Sequence, residues 1–130
     1  MIAIEIPGLR LVSEGNAREN HFAKAKRVRE QKQIVAAFFR VKRPERPPFP
    51  LVVTITRLGP RALDSDNLAG SGKHVRDAIA SWLGVDDGVA ERTLIDGLPQ
   101  VEWRVEAEKS RTYGVRIRIE CAATRGEAVA

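Results

Sequence analysis

The chain has 130 residues, 43% hydrophobic and 30% charged, which suits one globular domain with a real core and excludes a disordered or fibrous chain. Its formal net charge is +5, with sixteen arginines to six lysines, a bias toward phosphate-bearing partners. One cysteine, Cys121, and two histidines, His21 and His74, exclude a disulfide framework and a cysteine- or histidine-rich metal site. The longest apolar run, Ile34 to Phe39, is far short of the ~20 residues a membrane span takes, and Met1 to Glu5 carries no basic-then-apolar leader, so the expected setting is a reducing cytosol.

Ile2, Ile4 and Ile6 alternate with Ala3 and Glu5, the pattern of a half-buried strand ended by Pro7-Gly8. Leu9 to Ala17 reads as loop. Asn20 is the expected N-cap of a long helix to about Val41, with Ala25, Val28, Val35 and Phe39 on its apolar stripe. Pro44, Pro47, Pro48 and Pro50 stop that helix and stiffen the connection to Leu51–Thr56, a β-branched run suited to a central strand. Asp64-Ser65-Asp66-Asn67 opens a second helix predicted to run to about Leu83, with Leu68, Val75, Ile79 and Trp82 inward and Gly84 as its stop. Val85-Asp86-Asp87-Gly88 reads as a turn. Val101, Trp103, Val105 and Ala107, then Val115, Ile117 and Ile119, alternate with charged residues, predicting two strands joined by a hairpin connection over Lys109–Gly114. The expected fold is a small α/β domain of the α+β kind: a mixed sheet with two helices packed on it, in the order β-α-β-α-β-β over residues 1–121, with a frayed tail at 122–130.

The charges are not spread evenly. Arg18 to Arg46 holds ten Lys/Arg against three Glu, whereas Asp64 to Glu91 holds six acids against two bases. Carboxylates oppose phosphate binding, so concentrating them on a basic chain needs a reason, and a divalent cation supplies one. Asp64 and Asp66 are two apart, which aims both to one side of an extended segment, and paired carboxylates repel unless a cation or proton lies between them. Asp86 or Asp87 can join them if the chain returns along the sheet, and Lys73 can neutralise a phosphate or orient water. The alternative is that these aspartates only cap helices and make a turn. A calcium loop from Asp64 fails at Leu68, Ala69 and Val75, and a P-loop ending at Gly72-Lys73 fails because His74 replaces Ser or Thr. Asp77 is the expected intrahelical partner of Lys73, and Trp82 and Trp103 are expected in the core.

Asp64-Ser65-Asp66-Asn67-Leu68, Lys73, Asp77-Ala78-Ile79 and Gly84-Val85-Asp86-Asp87, in this order, resemble the signature of the RusA family of Holliday-junction resolvases, a likeness covering most of the chain. The resemblance implies a small homodimeric endonuclease of phage or prophage origin, acting with Mg²⁺ or Mn²⁺ on four-way DNA junctions in a bacterial or phage-infected cell. It assigns metal binding and catalysis to Asp64, Asp66 and Asp87, with Asp86 beside them, and an essential cation to Lys73. Ala69-Gly70-Ser71 is inserted relative to compact members; three residues are nearly one helical turn, so Lys73 can still face the carboxylates. The basic side chains Arg18, Lys24, Lys26, Arg27, Arg29 and Lys32 are the expected DNA contacts. Two rival readings use the same residues: a non-catalytic DNA-binding module, and a metal-dependent phosphohydrolase acting on nucleotides or other small molecules.

Overall fold

Strand β2 (Leu51–Gly59) is buried along nearly its whole length because it has a neighbour on each side. It pairs in parallel with β5 (Val101–Lys109) and antiparallel with β6 (Gly114–Cys121), and β6 pairs antiparallel with β1 (Ile2–Pro7). The resulting four-stranded mixed sheet has the order β1-β6-β2-β5. This computed structural model describes residues 1–12, 20–61, 63 and 65–122, with the side chains of residues 65 and 66 excepted. The remaining elements are α1 (His21–Lys42), α2 (Ser65–Ser71), α3 (Lys73–Leu83), α4 (Asp87–Arg92) and a short hairpin of β3 (Leu94–Ile95) and β4 (Leu98–Pro99). Among the described residues, no helix is long and apolar enough to cross a membrane.

Register puts the apolar residues of all four strands on one face. Ile4 lies opposite Ile117, which lies opposite Ile55, which lies opposite Val105. Val35 and Phe39 of α1 and Val75, Ile79 and Leu83 of α3 close over that face as one buried cluster. Each large aliphatic side chain fully removed from water there contributes ~1.5–3 kcal/mol. Trp82 and Trp103 pack against this core, and the Trp82 ring lies 4.6 Å from that of Phe39. Asn20 caps α1 as expected, its Oδ1 accepting from Ala23 N at 2.8 Å. The amino-terminal half of α1 is mostly exposed, and its buried residues are Gln31, Val35 and Phe39.

The opposite face carries no helix among the described residues, yet Val52, Thr54 and Thr56 are buried on it. Long charged side chains flank them: Arg118 and Arg104 on either side of Thr54, Arg116 and Glu106 on either side of Thr56. Arg116 bonds Glu5 at 2.9 Å and pairs with Glu108 at 3.1 Å, tying β1 to β5 across β2. The hydrogen bond to Glu5, then that to Glu108, raises the Arg116 pKa above its ordinary value.

Three expectations are corrected. The predicted second helix is two helices, α2 and α3, because Gly72 sits against β5: a Cβ there would lie 2.9 Å from Val105 Cγ2. The predicted 85–88 turn is an N-cap followed by the helix α4. Lys109–Gly114 is not a hairpin connection, since β5 and β6 do not pair; residues 110–113 arch over the end of β2, which lies between them. The arch crosses two strand spacings, roughly 10 Å, within reach of four extended residues. The tail predicted at 122–130 lies outside the described residues from 123 onward.

Gly72→Ala is expected to lower stability by ~1–3 kcal/mol through overpacking on Val105. The same change made in a Val105→Ala background is expected to cost nothing, because the clashing methyls are gone. Thermal melts of the two single variants and the double variant check this as a coupling energy.

Candidate functional site

The parallel pairing of β2 with β5 sends residues 60–100 across the helical side of the sheet, and that crossover carries every aspartate singled out by motif. Two separate stretches of it land on neighbouring residues of β5. The α2–α3 junction rests on Val105 through Gly72, and α4 is held by Trp103, whose Nε1 donates to the Asp87 carbonyl at 3.1 Å. Trp103 and Val105 are two apart on a strand and therefore share a face. The α2–α3 junction at Gly72 and the start of α4 at Asp87 are thus seated side by side on one strand.

Asp86 and Asp87 have different tasks. Asp86 is the N-cap of α4, with extended backbone and Oδ1 accepting from Val89 N at 3.0 Å. Asp87 begins the helix, where a negative charge is favoured by the helix dipole, and its Oδ2 lies 2.8 Å from Arg76 Nε of α3. The two side chains are 21% and 31% exposed, and the contact is an ion pair without hydrogen-bond alignment, since the buried Arg76 Nε has no hydrogen-bond partner. Asp87 is therefore the carboxylate of the two that faces a cation, and Asp86 the one spent on the backbone.

Asp64 lies outside the described residues, as does the side chain of Asp66. The backbone of Asp66 is already in α2, so the extended spacing that would align it with Asp64 does not hold at that residue. Lys73 is the exposed first residue of α3. Asp77 does not pair with it: packing of α1 beside α3 brings Lys32 to 3.8 Å from the Asp77 carboxylate instead. Among the described residues, no three His, Cys, Asp or Glu side chains are grouped to hold a metal. Asp87 is an oxygen ligand of the type hard divalent ions take, and its carboxylate here faces the Arg76 guanidinium.

Lys24, Lys26, Arg27, Arg29 and Lys32 all project from the amino-terminal half of α1, and Arg18 lies outside the described residues. Lys26 and Glu30 approach to 3.9 Å with both side chains more than half exposed, a contact of little energetic weight. Arg29 and Lys32 edge an open groove of about 590 Å³ between α1 and α3, floored by Ala25, Val28 and Ala78. His21 is exposed and His74 is buried in α3, neither being grouped with a metal-ligand set among the described residues.

Sequence reasoning missed two features here. Arg76 as the partner of Asp87 carries no local signal, because the contact is made only when α4 folds back on α3. The β3–β4 hairpin did carry one: Asp96-Gly97 both adopt positive φ, 52° and 81°, the Asp-Gly pattern of a tight two-residue turn. No protein-family model matches the chain, and no curated protein matches it.

Asp86→Ala is expected to cost ~0.5–2 kcal/mol, the loss of a helix cap, whereas Asp86→Asn is expected to be close to neutral because asparagine caps as well. Denaturant melts of both variants test the assignment, and equal losses would remove Asp86 from the cap.

Proposed function

We propose that this chain is a metal-dependent endonuclease acting on branched DNA, in keeping with its resemblance to the RusA family, and that it works as a homodimer with one acidic centre per protomer. The observation that carries the reading is that the α2–α3 junction, which follows the first acidic segment, and α4, which carries the second, rest through Gly72 and Asp87 on Val105 and Trp103 of β5. A basic helix packed on the same crossover supports it.

On this reading Asp87, with Asp64 and Asp66, holds Mg²⁺ or Mn²⁺, and a bound ion of this kind activates water and offsets the charge that develops on a phosphodiester. The chain's own residues hold and orient. Trp103 fixes the backbone of Asp87, Asp86 fixes the helix that presents it, and Arg76 neutralises its carboxylate in the ion-free protein. Lys73, exposed at the start of α3, is placed to meet a phosphate oxygen, and the α1 cations grip backbone phosphates without reading bases. A homodimer is invoked because resolving a junction takes two symmetric cuts. The rival that keeps a specific observation in its favour is a non-catalytic DNA-binding module, for which the Asp86 cap and the Asp87–Arg76 pair are structure only.

The deciding experiment incubates the protein with a labelled four-way junction and a matched duplex, with and without Mg²⁺. Junction-selective, Mg²⁺-dependent cutting is expected, and its loss in Asp66→Asn and in Asp87→Asn with junction binding preserved. Both variants keep shape while removing a charge and a good ligand, so full activity in both overturns the metal centre.

Binding is expected to depend steeply on salt, because each neutralised phosphate releases counterions. Replacing Lys24, Arg27 and Arg29 with Ala is expected to weaken junction binding and to flatten log K against log salt by ~0.9 per lost contact. An unchanged slope takes α1 out of the DNA interface.

A further inference from the structure

Arg57 breaks the apolar alternation of β2 on its core-facing side, following Leu51, Val53 and Ile55. Only 5% of it is exposed. A guanidinium withdrawn from water normally faces a carboxylate, because an unpaired buried charge is costly. Here its partners are carbonyls alone: Nε donates to Leu11 O at a long 3.5 Å, and Nη1 donates to Arg61 O. Nη2 has no partner among the described residues and is not sealed from solvent.

Arg57 lines a pocket of about 240 Å³ at the carboxyl ends of β2 and β5, together with Arg61 and Lys109. Neither of those cations has an ion pair among the described residues. Among the described residues Glu108 is the one acid lining the pocket, and its carboxylate is taken by Arg116 at 3.1 Å. Gly59 of the pocket lies under the arch: a Cβ there would be 3.1 Å from the Tyr113 ring. The same ring carries Arg10, its guanidinium carbon 4.5 Å from the centroid, which adds a further positive charge at this end of the sheet.

We propose that this pocket is a phosphate site, and that the phosphate belongs to a DNA backbone. Three cations around one small space select a compact oxyanion, and arginine's planar fork matches its oxygens. At about 240 Å³ the pocket is below the ~300–1,000 Å³ of sites that enclose whole organic ligands, which favours a single phosphate group. It opens at the carboxyl ends of parallel strands, where ligands of α/β sheets gather, and Arg61 stands just before the acidic motif. The assignment to DNA rather than to free phosphate rests on the nuclease reading given above; the anion pocket itself does not.

The test uses the full chain without divalent ions, so that binding is measured independently of cleavage. Arg57→Met is expected to weaken binding of a labelled four-way junction about tenfold and to lower the log K–log salt slope by ~0.9, while Arg57→Lys keeps the slope and recovers part of the affinity. In parallel, inorganic phosphate at constant ionic strength is expected to raise the melting temperature of the unsubstituted protein but not of Arg57→Met. Unchanged junction affinity and slope in Arg57→Met overturns the DNA assignment, and a phosphate response without any DNA effect does the same in favour of free phosphate. Absence of both responses overturns the pocket. If Arg57→Met does not fold, Arg61→Ala/Lys109→Ala carries the same measurements from the exposed side, with an expected slope loss of ~1.8. A protein that never cuts DNA yet passes these tests refutes the nuclease alone; one that cuts but ignores Arg57 refutes the pocket alone.

Discussion

Parallel pairing of β2 with β5 is the constraint from which the rest of the architecture follows. Two parallel neighbours cannot be joined by a tight turn, so the chain must leave one end of the sheet and return to the other across a face. Here that return is made of α2, α3 and α4. Apolar strand residues of the covered face meet those of α1 and α3. The acidic motif, the Arg76–Asp87 pair and the Trp103 contact all belong to this one connection.

The sheet's two faces solve burial differently. The helical face uses aliphatic packing. The open face uses the stems of charged residues, with Arg116 reaching from Glu5 on one edge strand to Glu108 on the other. That second solution also bears on the end of β2, because it engages Glu108, the one acid among the described residues that lines the pocket with Arg57, Arg61 and Lys109. Charge placement on one face thereby sets the electrostatics of a pocket on the other.

The main strands and α1 were legible because their signals are local. Period-two alternation marks β1, β5 and β6, the β-branched run marks β2, and Asn20 with the proline cluster brackets α1. What escaped is set by tertiary contacts. Gly72 breaks a helix because Val105 is across from it, and nothing near Gly72 in sequence names Val105. The 110–113 connection has the length of a hairpin loop, and only the insertion of β2 between its strands makes it an arch. Of the candidate site, the order of the aspartates along the chain was legible, but not the division of labour between Asp86 and Asp87, which depends on a backbone amide at Val89 and a guanidinium on another helix. Lys32, expected as a DNA contact, also lies beside Asp77, a neighbour that charge counting does not reveal because helix packing creates it.

Among the described residues strand β6 is the last in sequence, yet it lies inside the sheet, hydrogen-bonded to β1 on one side and β2 on the other. A chain emerging from the ribosome can therefore form α1 early but cannot assemble the sheet until Gly114–Cys121 has been made and released from the exit tunnel. Until then β1 has no partner and one edge of β2 stands open, with the apolar rows Ile2–Ile6 and Leu51–Ile55 uncovered. Assembly of the sheet thus waits on synthesis of β6, with closure of distant segments as the slow event, and the nascent chain is most exposed to misassociation in the interval before that strand arrives.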